Sequence, residues 1–156
     1  MLDLGRTLLA TAERNPGAEA VVHGEVRLDY AQWLDRVLRV AAALEDLGLR
    51  RGDHLVTALQ NRWESATLHW AGQLLGVIVT PLNWRVKPDE LDYCLGDAEA
   101  RAVVFEAVSE EAVAGSTLAP DLPRIGVGET GRATLSFDDC LGAQPLAAAP
   151  RADAED

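Results

Sequence analysis

The chain has 156 residues, of which 48% are hydrophobic and 25% are charged, a composition typical of one globular domain and not of a disordered chain. Its net charge of −11 would repel a phosphate backbone, so nucleic acid is not expected as a partner. No apolar run approaches the ~20 residues that cross a bilayer, and residues 1–15 lack a secretory signal pattern. We therefore expect no membrane span and a cytoplasmic protein.

Cysteine and histidine are too sparse to predict a metal centre. Cys94 and Cys140 have no C-x-x-C partner, so they are expected to be buried thiols and not members of a disulfide or zinc site. His23, His54 and His69 show no H-x-x-H spacing. No metal site is expected.

The first helix that we predict follows a β-hairpin. Two β-prone runs flank a turn at residues 23–25, which indicates a hairpin. Asp29 and Gln32 then have the spacing of a capping box, apolar residues recur at helical spacing, and Gly48 ends the pattern. A hairpin that leads into an amphipathic helix is expected.

A strand and a second helix come next. Residues 54–59 have the apolar pattern of a buried strand. Asn61 and Glu64 repeat the spacing of a capping box, and Gly76 ends the helical pattern that follows. The sequence predicts a helix between these signals.

The strand–helix alternation continues. Residues 77–82 predict a strand that Pro81 helps to end, Pro88 begins a helix, and residues 101–107 form the next strand. A short helix near Ser109, a strand in "PRIGVGE" and a last helical turn capped by Ser136 follow. Alternation at this spacing predicts parallel β-α-β units.

The predicted fold class is therefore α/β, an open and mostly parallel sheet with helices on both faces and an N-terminal β-hairpin. Residues 1–142 form the α/β subdomain in this interpretation. Residues 143–156 are Ala-rich, Pro-rich and acidic, which is typical of a linker or a disordered tail.

Residues 126–131 match the G-x-G-x-x-G pattern of dinucleotide-binding loops. Such a loop must open a helix, but "RATLS" has no helical stripe, and a glycine-rich surface turn is the simpler interpretation. Dinucleotide binding by this loop stays open as an alternative.

The segment Thr80–Arg85 should lie near the carboxyl end of a parallel strand, where open α/β sheets bind their ligands. Arg85 could offer a planar fork of donors to a phosphate or a carboxylate, and Trp84 could offer a stacking face. In the alternative interpretation, Trp84 packs over the sheet edge and Arg85 pairs with a neighbouring acid.

Several short motifs occur in a definite order between about residue 5 and residue 142. They are Asp29-Tyr30, Leu44 to Asp53 with an L-x-x-L-G-L-x-x-G-D pattern, Asn61 to Glu64, Gly76, Pro81-Leu82-Asn83, and Glu90-Leu91 with Tyr93. In this order they resemble the N-terminal part of the AMP-forming acyl-CoA synthetase and ligase family, also called adenylate-forming enzymes. The resemblance implies the N-terminal subdomain of such an enzyme.

The resemblance implies a two-step reaction in the full-length enzyme. ATP with Mg²⁺ and a carboxylate give an acyl-adenylate and pyrophosphate, and the thiol of coenzyme A (CoA) then displaces AMP. The phosphate loop, the ribose-binding Asp and the catalytic Lys of that family lie downstream of the matched motifs. We therefore expect no catalytic residue and no bound cofactor in this chain, which would be an inactive N-terminal fragment: a truncated form, a proteolytic piece or a split gene product.

One site residue carries over from the family. Arg85 follows Pro81-Leu82-Asn83, where CoA-forming relatives can place a basic residue near the CoA phosphates, and this makes it a candidate CoA contact. The family usually has a small residue or Pro where Trp84 stands. The expected partner is the remainder of the ligase, or a second copy through exposed apolar surface.

The alternative function is a free-standing flavodoxin-like binding or interaction module. Such a module would use its acidic surface or the segment 80–85 to dock a partner. The carboxylate substrate of a ligase is not indicated by these residues.

Overall fold

A computed structural model describes residues 4–147. The helices are α1 (Leu4–Arg14), α2 (Tyr30–Asp46), α3 (Trp63–Leu75), α4 (Pro88–Asp97), α5 (Glu110–Gly115) and α6 (Phe137–Leu141). The strands are β1 (Glu19–His23), β2 (Val26–Asp29), β3 (His54–Ala58), β4 (Ile78–Leu82), β5 (Ala102–Glu106), β6 (Arg124–Val127) and β7 (Leu135–Ser136). None of the helices within this range is long and apolar enough to cross a membrane.

The main sheet has five strands in the order β4-β3-β5-β6-β7, and every neighbouring pair is parallel. β1 and β2 form a separate antiparallel hairpin. The chain adds β4 on one side of β3 and then returns to add β5 on the other side. This order confirms the predicted parallel sheet and places a topological switch point between β3 and β5.

Helices cover both faces of the sheet, as predicted. On one face, α1, α2, α3 and α6 pack on a cluster that includes Leu55, Val104 and Ile125. On the other face, α4 and α5 pack on a cluster that includes Val56 and Phe105. Consecutive strand residues enter opposite clusters because side chains alternate across a strand.

The helix signals in the first half of the chain are confirmed. Asp29 caps α2 by accepting the Gln32 N–H at 2.8 Å, and the Gln32 side chain accepts the Asp29 N–H in return. Gly48 and Gly76 both have positive φ, at 93° and 72°, in the left-handed region where glycine is favoured after a helix.

The predicted start of α3 is wrong. The helix begins at Trp63, its N-cap residue is Arg62, and no side chain caps it. Asn61 does not act as a cap, and Glu64 binds Arg62 instead of closing a capping box. Arg62 instead forms an ion pair with Glu106, which is distant in sequence, as described below.

Pro81 is the last residue but one of its strand, whose end at Leu82 matches the prediction. β4 continues to Leu82, and it is the edge strand next to β3. The Ile78 N–H donates to Asp53 O at 2.9 Å, and successive N–H groups of a strand point to opposite edges, so the ring nitrogen of Pro81 faces away from β3. Pro81 therefore costs no ladder hydrogen bond and removes a donor from the open edge.

The glycine motif at residues 126–131 shapes a tight crossing and opens no helix. Gly126 lies in β6, Gly128 turns the chain at a φ of 73°, and the parallel strand β7 begins at Leu135. The loop passes directly over Gly126, where a Cβ would overlap Thr130 Oγ1 and lie 2.8 Å from the Ala133 Cβ. The structure therefore favours the surface turn over the dinucleotide loop.

The two ends of the described chain pack on α2. The helix α1 is not predicted from the sequence, although its buried residues Gly5, Leu8 and Ala12 have helical spacing. After α6, Leu146 N–H donates to Leu38 O at 3.3 Å, and the Leu146 side chain packs against the core. The rest of the predicted tail, residues 148–156, lies outside the described residues.

Both cysteines are free. Cys140 lies on the buried face of α6, and burial, with the charge of Asp139 as a second cause, raises the pKa of its thiol to about 11. Cys94 is partly buried. The prediction of a buried thiol is thus confirmed for Cys140 and holds in part for Cys94.

Asp92 on α4 holds the loop that follows α5. Its carboxylate accepts hydrogen bonds from the Ser116 hydroxyl, from the Thr117 hydroxyl at 2.7 Å and from the Thr117 N–H at 2.9 Å. These bonds, that of Ser116 first, lower the pKa of Asp92 well below its usual range. The hydrogen bonds thus favour the charged form of the Asp92 carboxylate.

Gly126→Ala should destabilise the protein by about 1–3 kcal/mol, because the new methyl group has no room under the crossing loop. Gly17→Ala is the matched control, since a Cβ there meets no atom within 4 Å. Urea denaturation of both variants measures the difference. Equal stabilities of the two variants would show that the loop does not cross over Gly126.

Asp92→Asn should lower stability at neutral pH, and its difference from the wild type should shrink as pH falls. A carboxylate whose pKa is lowered in the folded state contributes its stability fully above the unfolded pKa of about 4, and this contribution is lost as pH falls toward the folded pKa. Thermal unfolding between pH 7 and pH 3 measures this. A difference that stays constant over that range would contradict the role of the charge.

Candidate functional site

The carboxyl ends of β3, β4 and β5 lie side by side at one edge of the sheet. The loop 59–62 follows β3, the turn 83–87 follows β4, and β5 ends at Glu106. In open α/β sheets the crevice beside the topological switch point is the usual place for ligands. We therefore take this edge as the candidate site.

Arg62 joins two acidic side chains at this edge. Its Nε and Nη2 donate to the two carboxylate oxygens of Glu64 at 3.0 and 2.9 Å, and its Nη1 donates to Glu106 Oε2 at 2.8 Å. Both acids are buried, with side chains 9% and 6% exposed. We call these three residues the Arg62 network.

The Arg62 network fixes the loop after β3 to the end of β5. Glu106 Oε1 also accepts the Gln60 N–H, and the Ser109 hydroxyl after β5 donates to Ala58 O at 2.7 Å. The hydrogen bonds that Arg62 donates, first to Glu64 and then to Glu106, raise its pKa against the opposing effect of burial. The guanidinium stays charged, and its ion pairs with two buried carboxylates hold the loop conformation.

The turn after β4 is held by its own hydrogen bonds. Asn83 Oδ1 accepts the Arg85 N–H at 2.9 Å, and Asn83 O accepts the Val86 N–H at 2.9 Å. The Arg85 guanidinium carbon lies 3.8 Å from the ring centroid of Trp84. Within residues 4–147, no carboxylate lies within ion-pair distance of Arg85. The alternative in which Arg85 pairs with a neighbouring acid is therefore wrong.

An open cavity of about 700 Å³ lies between the loop after β3 and the turn after β4. Its lining consists of His23, Leu59, Gln60, Asn61, Arg62, Leu82, Asn83 and Trp84. Trp84, from the segment Thr80–Arg85 that the sequence singles out, borders this cavity. Arg85 is exposed and stacks on the indole of Trp84. The β3–β4 cleft, as we call this cavity, thus combines amide groups, one imidazole and one indole.

Most residues of this site are not predicted as site residues from the sequence. Glu106 lies 44 residues after Arg62, and its only local signal is a charge at the end of a buried strand. The sequence predicts Asn61 only as part of a helix cap and gives no role to Gln60. Within the described part of the chain, no three acidic, His or Cys side chains are grouped as a metal ion would require.

Comparison with known proteins supplies the family. The model of the family described as "AMP-binding enzyme" matches residues 8–155, which is nearly the whole chain. The chain belongs to this family. The resemblance inferred from the ordered motifs is confirmed.

Relatives of this chain include proteins named as ligases or synthases of several kinds. It is 34% identical over 104 residues to the medium-chain acyl-CoA ligase ACSF2, mitochondrial, of Rattus norvegicus, covering 65% of this chain and 17% of that protein. It is 33% identical over 126 residues to a feruloyl-CoA synthase of an Amycolatopsis species, covering 81% of this chain and 26% of that protein.

A solved structure of similar fold comes from Rhodopseudomonas palustris. It is a putative long-chain-fatty-acid CoA ligase with a TM-score of 0.88 and 29% identity, covering 99% of this chain and 40% of that one. The chain thus corresponds to an N-terminal part of acyl-CoA ligases, and it spans less than half the length of these relatives.

Arg62→Leu should destabilise the protein by about 3–5 kcal/mol, because it leaves two buried carboxylates without their cation. Arg27→Leu is the matched control: it breaks the Arg27–Glu19 pair, whose side chains are 66% and 56% exposed, and should cost under about 1 kcal/mol. Chemical denaturation measures both. A small and equal loss would show that the Arg62 network does not hold the loop after β3.

Proposed function

We propose that the chain forms the N-terminal α/β region of an AMP-forming carboxylate–CoA ligase. In this function ATP and a carboxylate give an acyl-adenylate and pyrophosphate, and CoA then displaces AMP to give an acyl-CoA. The observation that carries the proposal is the family match over residues 8–155, together with relatives named as acyl-CoA ligase and feruloyl-CoA synthase. The family implies ATP, Mg²⁺ and CoA for the full-length enzyme.

We further propose that these 156 residues do not form the acyl-adenylate by themselves. Adenylation needs positioned charges around the α-phosphate and its metal ion. The candidate site offers one exposed guanidinium, that of Arg85, and the guanidinium of Arg62, which is already paired with two carboxylates. Neither arrangement fits a triphosphate with Mg²⁺, so the proposal assigns the ATP site to no residue of this chain.

Arg85 fits a contact to the phosphates of CoA. It is exposed, it forms no ion pair within the described residues, and the indole of Trp84 supports it at 3.8 Å. A planar guanidinium binds a phosphate through two parallel hydrogen bonds. We propose that Arg85 makes this contact in the ligase.

Exposed apolar side chains support a partner surface. Ile78 on the edge strand is 47% exposed, Tyr93 on α4 is 71% exposed and Val108 is 52% exposed. Contact with another protein would remove these apolar side chains from water. We propose the remainder of the ligase as that surface, and self-association where it is absent.

A flavodoxin-like module has the same strand order as this sheet, so the topology does not separate it from a ligase region. The family match favours the ligase. Sequencing the gene beyond the codon for Asp156 distinguishes them: an in-frame continuation into a Ser/Thr/Gly-rich loop supports the ligase, and a stop codon supports the module.

The chain alone should show no carboxylate-dependent ATP–pyrophosphate exchange, tested with medium-chain fatty acids and with ferulate, the acids suggested by the relatives' names. The complete gene product should show exchange with at least one member of a wider carboxylate panel. Exchange by the chain alone would contradict the proposed inactivity. A complete product that exchanges with no carboxylate would contradict the ligase function itself.

A further inference from the structure

A second open cavity lies at the amino edge of the sheet, opposite the candidate site, and has a volume of about 880 Å³. Its lining comes from residues 47–53 between α2 and β3, residues 95–101 between α4 and β5, and residues 118–123 before β6. We call it the amino-edge groove. It shares no lining residue with the β3–β4 cleft, so it is a separate surface.

The floor of the amino-edge groove is apolar. Leu95 of α4 is buried, and Leu47 and Leu122 are half-buried. Leu118 is 40% exposed and lies over α4 at Gly96, where a Cβ would be 3.5 Å from the Leu118 Cδ1. Four leucines thus line one cavity, and a ligand that covers them would remove the exposed part of Leu118 from water.

The charges around the groove leave two carboxylates unpaired. Arg101 Nε lies 3.5 Å from Asp53 Oδ1. The Arg50 guanidinium donates to two backbone oxygens at and just after the end of α2, where the helix dipole is negative. The side chains of Glu99 and Asp121 are exposed and form no hydrogen bond or ion pair within residues 4–147. The uncompensated charge at the rim is therefore negative.

Glu99 has a strained backbone conformation. Its φ of 47° is the one positive φ of a non-glycine residue within residues 4–147. Glu99 follows Ala98, the C-cap residue of α4, at the position where a left-handed backbone favours glycine. Such strain lowers stability and is typical of positions with a function. It supports a use for the Glu99 carboxylate in the groove.

One wall of the groove is held in place before any ligand binds. Asp92 accepts the N–H groups of Thr117 and Leu118 at 2.9 and 3.2 Å. At the other end of this wall, Arg124 Nη1 donates to Pro120 O at 2.8 Å. A surface that is already ordered loses little conformational entropy on binding.

We propose that the amino-edge groove binds a basic amphipathic helix of a separate protein. The apolar face of such a helix covers the leucines of the floor, and Lys or Arg side chains beside that face pair with Glu99 and Asp121. The net charge of the chain, −11, attracts a cationic partner and repels an anionic one. This inference does not depend on the ligase proposal, because it uses no residue of the candidate site.

The test is fluorescence anisotropy of a labelled probe peptide titrated with the 156-residue chain. The probe is an amphipathic helix of leucine and lysine, about four turns long, in ~150 mM NaCl to screen exposed charges. It should bind with a dissociation constant of about 10–100 μM. The same peptide with glutamate in place of lysine should not bind.

Glu99→Gly separates binding from stability. Glycine relieves the backbone strain, so this variant should melt about 2 °C above the wild type. It should nevertheless bind the probe about threefold more weakly, because the rim loses a carboxylate. The matched control is Glu25→Gly, which removes an exposed acid from the hairpin turn and should bind the probe as the wild type does.

Leu118→Ser tests the apolar floor. It should weaken probe binding about fivefold, because less apolar surface is buried on binding. The matched control is Val22→Ser, which changes an apolar hairpin residue that is 48% exposed, against 40% for Leu118. This control should leave probe binding unchanged.

Failure of the wild-type chain to bind the basic probe up to about 1 mM would overturn the inference. Equal losses in Glu99→Gly and Glu25→Gly would overturn it as well, since they would indicate a general attraction to the acidic surface. If the chain binds the probe and the complete gene product does not, the rest of that product covers the groove and a separate partner is excluded. Self-association of the chain that Leu118→Ser abolishes would assign the groove to a second copy instead.

Discussion

The buried Arg62 network is the interaction on which the candidate site depends. Arg62 is the cation between Glu64 and Glu106, and through Glu106 it ties the end of β3 to the end of β5 across the switch point of the sheet. Two buried carboxylates would repel each other without it. Arg62 is also the N-cap residue of α3, so the network holds both the first turn of this helix and the loop that lines the cleft.

Pro81 and Gly126 fit the strands of the main sheet to the segments beside them. Pro81 lies in an edge strand with its nitrogen toward the open side, so the strand passes through it without a lost bond. Gly126 leaves space for the loop that brings β7 beside β6 without a helix. In the sequence, Pro81 indicates a strand end and Gly126 belongs to a glycine motif. Only the neighbouring strands show which role each residue has in the sheet.

The carboxyl edge of the sheet combines a rigid frame with an open, polar surface. The frame contains the charges of Arg62, Glu64 and Glu106, and both of its carboxylates are buried. The surface contains Arg85, stacked on Trp84 and unpaired among the described residues. A fixed frame beneath unsatisfied groups is suited to ligand binding because ordering costs are already met in the folded protein.

The sequence by itself determined the α/β class, the hairpin, the capped start of α2, the order of strands and helices from β1 to β6, and the family. These features depend on periodicity, on capping residues and on motif order, which act between near neighbours. Only the tertiary structure decided the start of α3, the edge position of Pro81, the crossing over Gly126 and the pairing of Arg62 with Glu106. Each of these depends on contacts between segments that are distant along the chain, and hydrogen bonding and steric exclusion there outweigh local preference.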